Sequence, residues 1–157
     1  MRLLIFFIFS MSTQAAVALP FSEVSVNQPV CLAANYSPDY MAAHPFQKTS
    51  AVWMMLYKDR DPKDPTLYMN LQVTMRGEIF RAGMLCDHRA NGSLHCAIEC
   101  DGGQAELWPN SEAPGNSYFV NKGIYVSGAC DHVDKPVLME PTSGGDDVFD
   151  LAVIPCH

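Results

Sequence analysis

Between residues 66 and 76 apolar and polar side chains alternate without a break. Leu67, Met69, Leu71, Val73 and Met75 interleave with Tyr68, Asn70, Gln72, Thr74 and Arg76. Successive side chains of an extended chain point to opposite faces, so a period of two held this long specifies a half-buried strand with the first set inward. Just upstream, residues 51–58 (AVWMMLYK) are apolar almost throughout, as in a strand covered on both faces. Residues 59–65 (DRDPKDP), rich in proline and charge, read as an exposed turn joining the two into a hairpin.

The same reading continues to the end of the chain. Short strands are expected at residues 79–85, 93–99, 104–108, 117–120, 124–127, 136–139 and 148–154. Turn chemistry separates them at Asn91-Gly92, Asp101-Gly102-Gly103, Pro114-Gly115-Asn116, Asn121-Lys122-Gly123 and Ser143-Gly144-Gly145. This spacing predicts an all-β fold: an antiparallel up-and-down barrel or a β-sandwich of about eight short strands. A weak internal echo, Gly83-Met84-Leu85-Cys86-Asp87-His88 against Gly128-Ala129-Cys130-Asp131-His132, suits a pseudo-symmetric barrel.

All six cysteines (Cys31, Cys86, Cys96, Cys100, Cys130 and Cys156) lie downstream of a segment with the features of a secretory signal. Arg2 supplies a positive n-region, residues 3–9 (LLIFFIF) an apolar h-region, and Ala16-Val17-Ala18 a small-residue cleavage site. The expected organisation is a signal peptide at 1–18, an extended segment at 19–50, and a β-domain at 51–157 that forms one folded unit with it. Pro38 suits the first turn of a short helix near residues 38–43. An even cysteine count in an exported chain predicts disulfides. Cys86 and Cys96 flank Asn91-Gly92 and are expected to face each other across a hairpin. Cys100 is then matched with Cys130, and Cys31 with Cys156 across the two ends. Six cysteines allow fifteen pairings, and this one has a geometric motive. The destination implied is secreted or periplasmic.

The formal net charge of −7 becomes one unit more negative when Arg2 leaves with the signal. Such a balance repels phosphate backbones and anionic lipid, which argues against nucleic acid as a partner. No second apolar run approaches the ~18 residues of a spanning helix, so no membrane insertion is expected after signal cleavage. Asn35-Tyr36-Ser37 and Asn91-Gly92-Ser93 are glycan acceptors in a eukaryotic secretory pathway and nothing in a bacterial one.

Histidine and aspartate beside the cysteines offer a metal reading. His88, His95, His132 and His157 all stand within two residues of a cysteine, and imidazole with carboxylate is a zinc or copper ligand set. No Cys-x-x-Cys or His-Glu-x-x-His spacing supports it, so a metal-binding protein is the alternative and no cofactor is expected. The acidic turns Asp101-Gly102-Gly103 and Gly144-Gly145-Asp146-Asp147 lack the one-three-five carboxylate spacing of a calcium loop. Nucleophile elbows, phosphate loops and dinucleotide fingerprints are absent. A hydrolase using a carboxylate pair from Glu78, Glu99 and Glu106 is the second alternative, and no catalytic residue is assigned. A barrel lined by Trp53, Met55, Tyr57, Tyr68 or Trp108 is suited to a small apolar ligand.

Tyr36, His44-Pro45-x-Gln47, Cys96-x-x-x-Cys100-Asp101-Gly102-Gly103 and Asp146-Asp147-x-Phe149-x-Leu151 together resemble a group of small exported proteins of alphaproteobacteria. The resemblance runs from about Cys31 to the C-terminus. It implies a periplasmic location and brings no activity and no site residues. The expected function is therefore an exported, non-enzymatic binding or interaction domain whose partner is an unidentified small molecule or protein.

Overall fold

The computed structural model describes residue 21 and residues 24–60, 66–113, 115–127 and 137–156. In chain order the elements are β1 (Val30–Asn35), α1 (Pro38–Ala43), β2 (Thr49–Lys58), β3 (Leu67–Met75), β4 (Glu78–His88), β5 (Leu94–Ala97), β6 (Gly103–Pro109), β7 (Asn116–Ser127), β8 (Val137–Met139) and β9 (Val148–Ile154). Every neighbouring pair is antiparallel. Strands β1 to β7 follow one another around the sheet, β9 pairs with β7, and β9 returns to β1 through Cys31↔Ile154 to Ala33↔Ala152. Of the two architectures expected, the chain adopts the barrel, closed by eight strands. Closure leaves few strand edges open to solvent.

The alternation read in β3 is the alternation observed. Leu67, Met69, Leu71, Val73 and Met75 are buried, and Tyr68, Gln72 and Thr74 are half-buried outside. Register carries that parity around the wall: Val52, Met54 and Leu56 of β2 stand opposite Val73, Leu71 and Met69. With Leu32, Leu94, Leu107, Phe119, Phe149 and Leu151 they fill the interior, as an eight-stranded barrel of this width allows. Trp53, Met55, Tyr57 and Tyr68, expected to line an internal cavity, are instead the outward set of β2 and β3. Nor is β2 covered on both faces; its outer residues are only half-buried.

Two strands expected at 117–120 and 124–127 are one. The Asn121-Lys122-Gly123 motif bulges without turning: Gly103 pairs with Ile124 and Ala105 with Asn121, so β7 carries one extra residue there. Gly123 takes φ 96° at the bulge, and its N–H donates to Asn121 Oδ1 at 2.8 Å. The other edge of β7 is shared in series by β8, through Ile124↔Met139, and β9, through Val120↔Val148. Buried Asn121 spans the break between them, its Nδ2 donating to the carbonyls of Met139 and Asp146, both at 2.9 Å. The intervening loop docks on the start of β2. Buried Asp146 accepts from the Thr49 N–H at 3.0 Å and the Lys48 N–H at 3.1 Å. Gly145 must be glycine here, because a Cβ would stand 2.6 Å from the Phe46 carbonyl oxygen.

Two further elements come from the segment upstream of residue 51. β1 inserts between β2 and β9 and completes the ring. α1 forms at the expected place, with Ser37 as N-cap, its Oγ accepting from the Tyr40 N–H at 3.2 Å, and with proline in the first turn. No described helix is long and apolar enough to cross a membrane.

Two disulfides reinforce the wall as expected. Cys86–Cys96 joins directly paired residues of the β4–β5 hairpin, and Cys31–Cys156 joins β1 to the end of the chain. Cys100 is also disulfide-bonded. Cys130, its expected partner, lies outside the described residues, as do the signal-like segment and the second copy of the Cys-Asp-His echo.

Candidate functional site: a cleft on the outer wall

Apolar side chains pack the interior, and the ligand-sized clefts formed by the described residues lie on the outer wall. A cleft of about 520 Å³ crosses the outer wall from β2 to the end of β7. Parity builds it. Tyr57↔Tyr68 and Tyr68↔Leu85 are cross-strand pairs on the outer face, with Asn70↔Gly83 and Gln72↔Arg81 in the next rows. Gly83 leaves a gap in this row, because a Cβ there would meet nothing within 4 Å. The stacked rings of Tyr57 and Tyr68, 5.6 Å apart at 22°, stand at one end. Tyr125 and Ser127 of β7 line the far side. A second depression of about 420 Å³ shares Asn70, Arg81 and Gly83 and reaches Trp53.

The rim opposite β4 is the β5–β6 turn. Ladder pairing of β4 with β5 ends at Leu85↔Ala97, so Ile98 and Glu99 enter the cleft from the turn beside Gly83. That turn is conformationally expensive. Cys100 and Asp101 both occupy the left-handed region, at φ 58° and 59°, which non-glycine residues rarely adopt. The disulfide at Cys100 holds it, together with bonds from the Gly102 N–H to the Glu99 carbonyl at 3.2 Å and from the Tyr125 N–H to the Gly102 carbonyl at 2.8 Å. Arg81, exposed on β4, makes no ion pair among the described residues. Among the described residues the cleft combines three phenol rings, one guanidinium, one carboxylate, one carboxamide and one hydroxyl. That set can bind and orient a ligand.

The residues singled out in the sequence fall elsewhere or only partly here. His88 and His95 lie near the top of the β4–β5 hairpin. Asp87 is the residue opposite His95, and His88 pairs with Leu94, so the two imidazoles belong to opposite faces of the wall. They do not converge. His132 and His157 lie outside the described residues, and no cluster of three or more His, Cys, Asp or Glu gathers among those described. Of Glu78, Glu99 and Glu106, Glu99 lines the cleft. Glu106 accepts from the Trp108 indole N–H at 3.1 Å and faces Lys122 Nζ at 3.9 Å; Glu78 is exposed at the start of β4. Trp108 contributes with Tyr118 and Val148 to a separate shallow apolar patch on β6, β7 and β9. The acidic loop before β9 is spent on its own backbone: besides the Asp146 contacts, Asp147 accepts from the N–H groups of Gly144 and Val148.

A ring stack runs from the core to the surface near α1. Phe149 contacts Tyr36, which stacks on Tyr40, whose ring lies 3.9 Å from that of His44. The Tyr36 phenol is pushed up to about 12, first by burial, then by the charges of Tyr40 and Asp150, against a hydrogen bond to the Asp150 backbone that works the other way. It stays a neutral phenol at physiological pH and serves as packing.

Sequence reading missed Gly83, Arg81 and Tyr125 as site residues. A signal existed for one of them, since an isolated glycine inside a strand marks a place where something else approaches the backbone. Comparison with family models, with curated proteins and with solved structures finds no match for this chain.

Proposed function

We propose that the chain is an exported, non-enzymatic binding domain that holds a small ligand in the outer-wall cleft at Gly83. The observation that carries this reading is the missing side chain at Gly83, between the outer-face rows of Tyr68–Leu85 and Gln72–Arg81. The volume falls in the range of small-molecule sites, roughly 300–1,000 Å³. A strained turn fixed by a disulfide forms one rim, and such strain concentrates at ligand clamps and other functional sites. The two disulfides fit an oxidising compartment. The signal-like residues 1–18 support secretion or periplasmic residence, and the resemblance to small exported alphaproteobacterial proteins favours the periplasm.

The test is a comparison of the wild-type protein with Gly83→Leu, a substitution into open space, since a Cβ at this position meets nothing within 4 Å. Both are dialysed against a metabolite and glycan mixture from a periplasmic or culture-medium extract, and the retained compounds are identified by mass spectrometry. Retention by the wild type that is lost in Gly83→Leu supports the reading. Equal retention by both proteins, or none by either, overturns it.

A further inference from the structure

The depression that runs from Gly83 to Trp53 is lined for one kind of charge. Register places Trp53, Gln72 and Arg81 in one outer-face row across β2, β3 and β4, with Asn70 and Gly83 in the next row. Neighbouring strands lie about 4.8 Å apart and successive rows about 7 Å apart, so these polar side chains surround one space. The Arg81 guanidinium and the Trp53 indole N–H only donate hydrogen bonds, and Gln72 and Asn70 can each turn an N–H toward the same point. Among the described residues none of these side chains has a hydrogen-bond or ion-pair partner, and no acidic side chain lines the depression. Glu99 lines the larger cleft but not this depression, and it already holds an interaction of its own.

Donors gathered round a lone guanidinium call for a negatively charged acceptor, and the planar fork of arginine matches a carboxylate or a phosphate in two parallel hydrogen bonds. Two observations favour the carboxylate. The chain carries a net charge of −7, which repels a phosphate dianion about twice as strongly as a monocarboxylate. The half-buried Trp53 ring at the far end also offers an apolar face, which an organic acid covers and a bare phosphate leaves unused.

On the reading that the outer wall binds a small ligand at Gly83, we infer that this ligand is an organic monocarboxylate with a flat apolar body. The carboxylate sits in the fork of Arg81 over the gap at Gly83, where a Cβ would meet nothing within 4 Å. Asn70 and Gln72 donate to its remaining lone pairs. The body runs along the row toward Trp53, whose indole is its stacking face.

The experiment is an NMR titration of the oxidised protein at fixed ionic strength with phenylacetate, its neutral isostere phenylacetamide, and inorganic phosphate. Backbone amides, the Arg81 Nε–H and the Trp53 indole N–H are followed. The expected result is saturable shifts with phenylacetate at Gly83, Arg81 and Trp53, with phenylacetamide binding about tenfold more weakly or worse. Arg81→Gln should weaken phenylacetate binding about tenfold or more, and Arg81→Lys about threefold or more because an ammonium lacks the fork. Gly83→Leu should abolish it. No saturable shift with phenylacetate, shifts away from the depression, or unchanged affinity in Arg81→Gln overturns the inference. Phenylacetamide or phosphate binding as tightly as phenylacetate overturns the carboxylate assignment. If that binding is lost in Gly83→Leu the cleft remains the binding site, and if it persists there the cleft reading falls as well.

Discussion

Asp146 is the contact whose removal has the most clearly bounded effect. Its carboxylate is 1% exposed, and its Oδ1 accepts from both Thr49 and Lys48 while Oδ2 reaches only Lys48, at 3.3 Å. Replacing it with alanine strands two backbone donors of unequal exposure. Thr49 is fully buried, so its N–H loses a charge-assisted bond and finds no water directly, at about 1.5–3 kcal/mol. Lys48 is exposed, so its N–H is rehydrated and the loss there is about 1 kcal/mol or less. Asp146→Ala should therefore cost about 3 kcal/mol. Asp146→Asn keeps Oδ1 in place for both donors and gives up the charge and the longer Oδ2 contact to the exposed Lys48, so it should cost about 1 kcal/mol. The measurement is urea unfolding of the oxidised proteins, followed by far-UV circular dichroism and tryptophan fluorescence and read from midpoint and slope. A cost below about 1 kcal/mol for Asp146→Ala, or equal costs for the two variants, refutes the reasoning, because the loop would then be held by something other than this carboxylate.

The two disulfides should differ with the logarithm of the length of chain they close. Chain entropy assigns about 3 kcal/mol to Cys86–Cys96, with separation 10, and about 5 kcal/mol to Cys31–Cys156, with separation 125. Paired alanine substitutions compared by urea unfolding check that order. Two glycines should respond oppositely. Gly83→Ala should leave stability unchanged or raise it by up to about 1 kcal/mol, since strand glycine is costly and the site is open. Gly103→Ala should abolish folding or cost more than about 3 kcal/mol, its Cβ falling 1.9 Å from the Gly123 carbonyl oxygen; thermal melts decide between the two responses. Tyr36 sets an alkaline limit. Its folded-state pKa of about 12 lies above the ordinary 10.0, so the folded protein holds this proton more tightly. Its contribution to stability is complete below about pH 10 and is lost as pH rises toward about 12. Tyr36→Phe should show a shallower fall in stability across that window.

The parts of this molecule legible in its sequence were those set by neighbours along the chain. The alternation in β3 and the β2–β3 hairpin follow from the two-residue period, and the short α1 from a proline suited to its first turn. The Cys86–Cys96 bridge was legible for the same reason, its partners flanking one short turn. The same local logic failed at Asn121-Lys122-Gly123. Asparagine and glycine serve a bulge as readily as a turn, and whether the chain reverses depends on pairing with β6, β8 and β9, none of which is nearby in sequence.

The cleft was less legible, for a related reason. Trp53 and Tyr57 sit in a stretch that is apolar almost throughout, so its sequence does not say which set faces out. Their parity with Val52, Met54 and Leu56, fixed by register with the alternating strand β3, turns them outward beside Tyr68. Gly83 became a gap because its row neighbours are large, and Glu99 became a rim because β5 stops at Ala97. By itself, then, the sequence determined that this chain makes antiparallel strands with one apolar face and a hairpin disulfide. That the strands close into a ring through β1 and β9, and that the outer wall carries a cleft, was decided by the tertiary structure. The periodicity of a strand says which side chains share a face, but which faces meet is settled by hydrogen-bonded partners more than a hundred residues apart, such as Cys31 and Ile154.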